Sequence, residues 1–367
     1  MDRRDVLAAL GSGSVAGLAG CVDFARTTSD STNGPTRDLT DGFGRTVAVP
    51  STVERVVAVG PGALRQVAYL DATDRVVGVE EEDESIRTAP YNLANPGLQE
   101  MQSVGSAGPN AGGNAEQILA VDPDVILYYG EPSRAETLQS QTETPVLGLR
   151  IVTVADRDAR ETMFDTWELL GDVFDERSRA EAIVEFVEET VRDLDARTRD
   201  TPASDRQRAY AGAVSYKGAH GLLTTGPEFA PFRWTGVENV AGDVGTDADS
   251  VQVSTEQLLA WDPETIVLSG ANLSRAREDV AANPEYKSVT ALATDETYTV
   301  LPRSSYHHNY GSILADAYFV GTRLYPDRFS DVSLRSTTEA IFETLLGERL
   351  FGRLLDEYDA FERVELA

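Results

Sequence analysis

From about residue 38 onward, short apolar runs alternate with amphipathic stretches along the chain. Residues 116–130 read EQILAVDPDVILYYG, and residues 256–270 read EQLLAWDPETIVLSG. Each segment ends an amphipathic helix, breaks at Asp-Pro, and continues as a β-branched apolar run closed by glycine. Eight of the fifteen positions are identical across an offset of 140 residues, which predicts two homologous lobes, each with a buried parallel sheet. In the first lobe the pattern predicts strands over Arg55–Val59, Arg75–Val79, Val125–Tyr129 and Pro145–Leu149. A Gly60-Pro61-Gly62 turn and a helix over Ala63–Leu70 follow the first of these. In the second lobe, strands are predicted over Arg208–Val214, Thr265–Leu268 and Thr297–Leu301. Residues 157–199 read as helical, with Ile183, Val187, Val191 and Leu194 on one face and a division at Gly171-Asp172. The expected fold is therefore α/β: two Rossmann-like lobes joined by a single long helix, with a ligand cleft between them and limited hinge motion.

Composition changes the picture in one respect. Acidic residues number 61 against 32 basic ones, a formal net charge of -29. Such a surface repels nucleic acid and anionic membranes. Lysine is confined to Lys217 and Lys287, and acidity with so little lysine is the habit of proteins adapted to dense salt, which screens self-repulsion. A hydrophobic share of 41% rules out a wholly disordered chain.

The N-terminus adds an address. Arg3 and Arg4 precede a weakly polar stretch that ends Leu18-Ala19-Gly20-Cys21, and Cys21 is the only cysteine. The apolar stretch is shorter than the roughly 20 residues a membrane span needs. The paired arginines resemble a twin-arginine export signal, and the segment ending at Cys21 resembles a lipobox. Residues 23–37 read DFARTTSDSTNGPTR, a composition that suits a tether. The expected division is a signal over 1–21, a tether over 22–37, an N-terminal lobe over 38–155, connecting helices over 156–200, and a C-terminal lobe with terminal helices over 201–367. A single cysteine excludes disulfides within the chain and cysteine-ligated clusters.

Several segments in order carry a family resemblance. Asp41-Gly-Phe-Gly-Arg-Thr-Val-Ala-Val-Pro50, Glu54-Arg-Val-Val-Ala-Val-Gly-Pro-Gly62 and Asp74-Arg-Val-Val-Gly-Val79 resemble the start of substrate-binding proteins of iron-chelate and cobalamin ABC importers. So do Asp-Pro-Asp-Val-Ile of the first repeat, Glu238-Asn-Val-Ala241, and the stretch from Leu314 to Phe329. The resemblance spans roughly residues 38–365. It implies a lipid-anchored, extracytoplasmic, monomeric receptor with no intrinsic cofactor. It implies further that a ferric siderophore, or alternatively cobalamin or heme, binds in the cleft and passes to a permease and its ATPase subunit. Docking on that permease is expected to use one carboxylate per lobe, Glu84 and Glu238.

Ligands of open α/β sheets sit beyond the carboxyl ends of the strands. In the first lobe this rule selects Gly60–Ala63, the segment holding Arg87 and Tyr91, and Tyr128-Tyr129-Gly130-Glu131. The Gly-Pro-Gly turn reads either as an anion cradle or as a plain tight turn. In the second lobe the rule selects Tyr216 and Lys217, then Arg233 and Trp234, then Arg303–Tyr310 with Tyr306, His307 and His308. Arginines and aromatic rings suit an anionic chelate, and histidine or tyrosine could ligate ferric iron. The alternative for the last loop is packing on its own lobe. His220 reads as structural. All three histidines fall in the second lobe, which argues against a bare zinc receptor. The sequence holds no Gly-x-x-x-x-Gly-Lys-Ser/Thr, His-Glu-x-x-His or Gly-x-Ser-x-Gly motif, so a binding protein rather than an enzyme is expected. Acidic runs such as Glu80–Glu82 read as solvated surface, and Asn272-Leu-Ser274 is a sequon of a kind that recurs by chance.

Overall fold

A computed structural model describes residues 34–366 except 82, 84–85, 107–111, 215–220 and 245–249. The export signal, Cys21 and most of the tether lie outside the described residues, as do Glu84, Tyr216, Lys217 and His220.

A hairpin of β1 (Thr36–Thr40) and β2 (Thr46–Pro50) opens the fold. Then come β3 (Val56–Val59), α1 (Ala63–Tyr69), β4 (Val76–Gly78), α2 (Pro90–Ala94), α3 (Ala115–Ala120), β5 (Val125–Tyr128), α4 (Pro132–Thr142) and β6 (Val146–Gly148). The connector is α5 (Arg157–Phe174) and the 22-residue α6 (Arg177–Thr198). The second lobe holds β7 (Arg208–Gly212), β8 (Thr224–Thr225), α7 (Ala230–Trp234), β9 (Glu238–Asn239), β10 (Val251–Gln252), α8 (Thr255–Trp261), β11 (Thr265–Ser269), α9 (Leu273–Ala282), α10 (Thr290–Ala293) and β12 (Thr297–Val300). Helices α11 (Tyr310–Leu324), α12 (Leu334–Leu346) and α13 (Phe351–Glu357) complete the chain.

Both main sheets are parallel, in the orders β4-β3-β5-β6 and β12-β11-β7-β9. Reversing the second order aligns β7 with β3 and β11 with β5, so the two copies of the repeat occupy equivalent places. The repeat is a set of caps. Asn114 and Ser254 accept the N–H groups of Gln117 and Gln257, and Asp122 and Asp262 take left-handed backbone at φ 45° and 41°. The proline after each aspartate then stops the helix. The predicted strands survive, most trimmed at their ends by a residue or two and Thr265–Leu268 extended by one to Ser269.

The connector divides at Asp175, whose φ is 59°, and not at Gly171-Asp172. Gly171 stays helical because a Cβ there would stand 2.9 Å from the Ala180 Cβ, so its bareness lets α5 and α6 pack closely. The division falls where the α5 carbonyls find other donors. Arg37 donates to the carbonyls of Asp172 and Val173, and Arg75 to that of Phe174. Ile183, Val187, Val191 and Leu194 are all buried on the inner face of α6. Residues 361–364 bond to the backbone of β12 and cover that sheet edge.

Asp41 fixes the opening hairpin to the first sheet. Its wholly buried carboxylate accepts the Phe43, Arg45 and Gly148 N–H groups and pairs with the Arg45 guanidinium at 2.6 Å. Replacing it by alanine strands Arg45 and three donors, so Asp41→Ala should cost about 3 kcal/mol, read as a lower urea midpoint. An unchanged midpoint would show that the hairpin is not held through this carboxylate.

Candidate functional site

The carboxyl ends of β3, β4 and β5 meet a single loop of the second lobe, residues 303–309. After β3 the chain turns through Gly60 (φ 98°) and Gly62 (φ 80°). A Cβ on Gly60 would fall 2.0 Å from the Tyr129 carbonyl, and one on Gly62 would fall 2.9 Å from the Cβ of His307. Glycine is thus required at Gly60 by its own lobe and at Gly62 by the opposite one.

Glu80 follows β4 and is fully buried, against the expectation of a solvated acidic run. The physical reason is that one of its carboxylate oxygens accepts from the Gly60 N–H at 2.8 Å and from the Tyr306 hydroxyl at 3.0 Å. It joins the turn of one lobe to the loop of the other. Arg65, on α1, is 1% exposed. Its guanidinium donates to the carbonyls of Ser305 (2.6 Å) and His308 (2.9 Å) and lies over the Tyr91 ring. Tyr91 in turn donates to Asp83, and burial foremost, then the Asp83 charge, pushes its phenol well above the usual value.

Tyr129, just past β5, meets His307 edge to face at 5.1 Å, with its hydroxyl 3.3 Å from Nε2. The His307 ring stands in the same way against His308. Within the loop, Asn309 donates to the Arg303 carbonyl and its amide to Ser305 Oγ. Tyr306 (φ 48°) and His307 (φ 89°) are consecutive left-handed residues that are not glycine. Such backbone costs on the order of 1–3 kcal/mol per residue and concentrates at binding sites.

The expected residues divide into three groups. Tyr129, Tyr306 and His307 come together here, with His308 and Arg303 buried behind them in the same loop. Tyr91, Tyr128 and Tyr310 are near but inside the protein. Tyr310 is fully buried beside Tyr69 and Trp167 with its hydroxyl on the Val152 carbonyl, and burial raises the Tyr128 phenol. Arg87 is exposed against Gln99. Arg233 and Trp234 sit elsewhere, Arg233 on Glu228 and the buried Trp234 indole on the Ala155 carbonyl. Glu238 is exposed beside Arg208. The sequon is closed, since the Asn272 amide is buried on the Ala213 carbonyl. Sequence reasoning passed over Arg65 and Glu80. The available signal was an arginine inside a helix whose seven residues are all buried. Among the described residues no three His, Cys, Asp or Glu side chains group to hold a metal ion.

The profile of the periplasmic binding protein family matches residues 56–303. The chain belongs to that family. This periplasmic binding protein is 25% identical over 331 residues to the molybdate-binding protein MolA of Haemophilus influenzae, covering 81% of this chain and 87% of that one. A cobalamin-binding protein of Halobacterium salinarum is 25% identical over 269 residues, covering 71% of this chain and 66% of that one. The solved structure of MolA bound to molybdate superposes with a TM-score of 0.68 at 22% identity, over 85% of this chain and 98% of that one. The two-lobe fold is therefore the binding-protein fold. The described residues hold no helix long and apolar enough to cross a membrane.

Two predictions arise from the site of this binding protein. Arg65→Lys keeps the charge but loses the two-pronged donor, so amide hydrogen exchange across residues 303–309 should speed up about tenfold, the effect of ~1.4 kcal/mol. Unchanged exchange would mean that the loop holds itself. The second concerns Asp316 on α11, beneath the entry to the loop. Its carboxylate is fully buried, accepts the Leu301 N–H at 2.9 Å, and is pushed by burial well above the ordinary value. The folded protein thus holds this proton more tightly than the unfolded chain. The resulting stability is full below about pH 4 and is lost as pH rises through the higher folded value. Asp316→Asn should therefore gain on the parent as pH rises from 5 to 8 in urea unfolding. A constant difference across that range would refute the assignment.

Proposed function

We propose that this binding protein is the receptor of an ABC importer and captures an anionic metal chelate, a ferric siderophore, between its lobes. The observation that carries this reading is the convergence of Tyr129 from one lobe with Tyr306 and His307 from the other, over the Gly60–Gly62 turn. Rings stack on an organic shell, tyrosine and histidine side chains donate hydrogen bonds to its anionic oxygens, and the lobes supply both sides. Tyr216 and Lys217 extend the second side in this proposal. The receptor is read as a monomer tethered by lipid at Cys21 after twin-arginine export. Glu84 and Glu238 would face the permease, whose companion subunit hydrolyses ATP. The lobes divide at 38–155 and 201–367, around connecting helices at 156–200.

A second reading is a corrinoid, favoured by the cobalamin-binding relative. Heme would engage the same histidine pair. The test is thermal unfolding of the full chain in molar salt with ferric hydroxamate, catecholate and citrate complexes, cobalamin, heme and molybdate. A ligand at 100 times its Kd adds about 2.7 kcal/mol of stability. A shift with one ferric chelate, lost in His307→Ala with Arg303→Ala, is the expected result. A shift with cobalamin or heme alone favours the second reading, and one with molybdate alone replaces the chelate by a small oxyanion.

A further inference from the structure

Away from the cleft, the open end of the α5–α6 hairpin and α7 line a solvent-open pocket of about 540 Å³. That lies within the range of small-molecule sites, roughly 300–1,000 Å³. Four arginines, Arg157, Arg160, Arg192 and Arg233, line it beside an equal number of carboxylates, and Phe164 and Trp234 are the largest apolar side chains of its walls. In a chain of net charge -29, the question is which of these arginines the carboxylates leave without a close ion pair.

The carboxylates nearby are already engaged. Glu161 pairs with Arg157 at 2.9 Å, Glu228 with Arg233 at 2.6 Å, and Asp195 with Arg199 at 3.0 Å. Asp156 accepts the Ala159 N–H as a helix cap. Arg160 differs: half-buried, it forms no ion pair among the described residues. Among the described residues its guanidinium donates to the carbonyls of Val154 and Ala155, at 3.4 and 3.5 Å, the weak end of the range. Glu188 holds Arg192 loosely at 3.8 Å. Burial first, and Arg233 and Arg157 among its neighbours, weaken the hold of Arg160 on its proton, though Asp156 and Glu188 oppose this. Asp156 and Glu188 thus balance this charge from a distance, and neither carboxylate forms an ion pair with it among the described residues.

We propose that this cavity is a second anion site, taking a small oxyanion of carboxylate or phosphate chemistry on Arg160, with Arg192 and Arg233 closing over it. Guanidinium forks match both anions bidentately. The Trp234 indole, bonded to Ala155 on one side of the cavity, ties the second lobe to the start of the connector. Occupancy would therefore be felt at the joint between them. The proposal is independent of what the cleft binds.

The test is calorimetric titration of the full chain with citrate and with inorganic phosphate at constant ionic strength, with tryptophan fluorescence as a local reporter. Binding of one or both is expected, with citrate alone or phosphate alone naming the class. Arg160→Gln should weaken it at least tenfold, while thermal unfolding confirms that the variant is folded. Glu188→Gln, which frees Arg192, should tighten it. Arg65→Lys should leave it unchanged. Equal binding by Arg160→Gln and the parent overturns the proposal. So does equal competition by chloride, or binding that Arg65→Lys abolishes, which would place the anion in the cleft.

Discussion

The closed arrangement of the lobes depends on Arg65. A guanidinium that is 1% exposed has given up its hydration, and burial of a charge is tolerated only with close partners. Here the partners are two carbonyls of the opposite lobe, Ser305 and His308, and the face of Tyr91. An ammonium could not reach both carbonyls in one plane. The bonds are to backbone, so they fix the path of the loop whatever its side chains are. Tyr306 and His307 are thereby held in left-handed backbone that they would not choose alone. Glu80 adds a second tie of the same kind, made once to its own turn and once across the cleft.

That junction exists because the two lobes are copies. Each places its parallel strands with carboxyl ends toward the other, so the loops with unpaired backbone groups converge. The cross-lobe bonds then answer a local need on each side. The C-terminal helices strengthen the joint, since the Tyr310 ring at the start of α11 packs on Tyr69 of α1 and Trp167 of α5. The connector and this aromatic cluster both span the lobes, so opening would have to separate packed rings as well as bend a helix pair.

Elements with a strong period were legible in the sequence. The repeat, the strand centres and the inner face of α6 follow from local pattern alone. The loop 303–310 was legible as chemistry, because two histidines and two tyrosines stand out in an acidic chain. Arg65 and Glu80 were not, for opposite reasons. Glu80 is one acid among 61 acidic residues, and only the Gly60 N–H and Tyr306 hydroxyl distinguish it. Arg65 sits in a helix with no polar face, and its partners lie 240 and 243 residues away. Gly171 misled because glycine marks both breaks and close packing. The αL residue that ends α5, Asp175, carries no such mark. Tyr310 and Tyr91 show a related ambiguity, since an aromatic at a loop edge serves core and ligand equally well.

The arginines explain how so acidic a chain coheres. Many of them leave the surface carboxylates and donate to backbone carbonyls at element ends. Arg55 reaches the carbonyls of Val121 and Asp122, Arg179 those of Tyr69, Thr344 and Leu345, and Arg363 those of Thr294 and Asp295. Exposed ion pairs fade in concentrated salt because the Debye length falls to about 3 Å at 1 M. A short hydrogen bond to a carbonyl at a helix or strand end is far less screened, and it satisfies groups the backbone leaves over. Lysine, with its compact and strongly hydrated charge, serves this purpose poorly. Near-exclusive use of arginine and a large acidic excess are thus compatible: an arginine can join a carboxylate and a backbone carbonyl at once, as Arg363 does with Glu296 and Asp295.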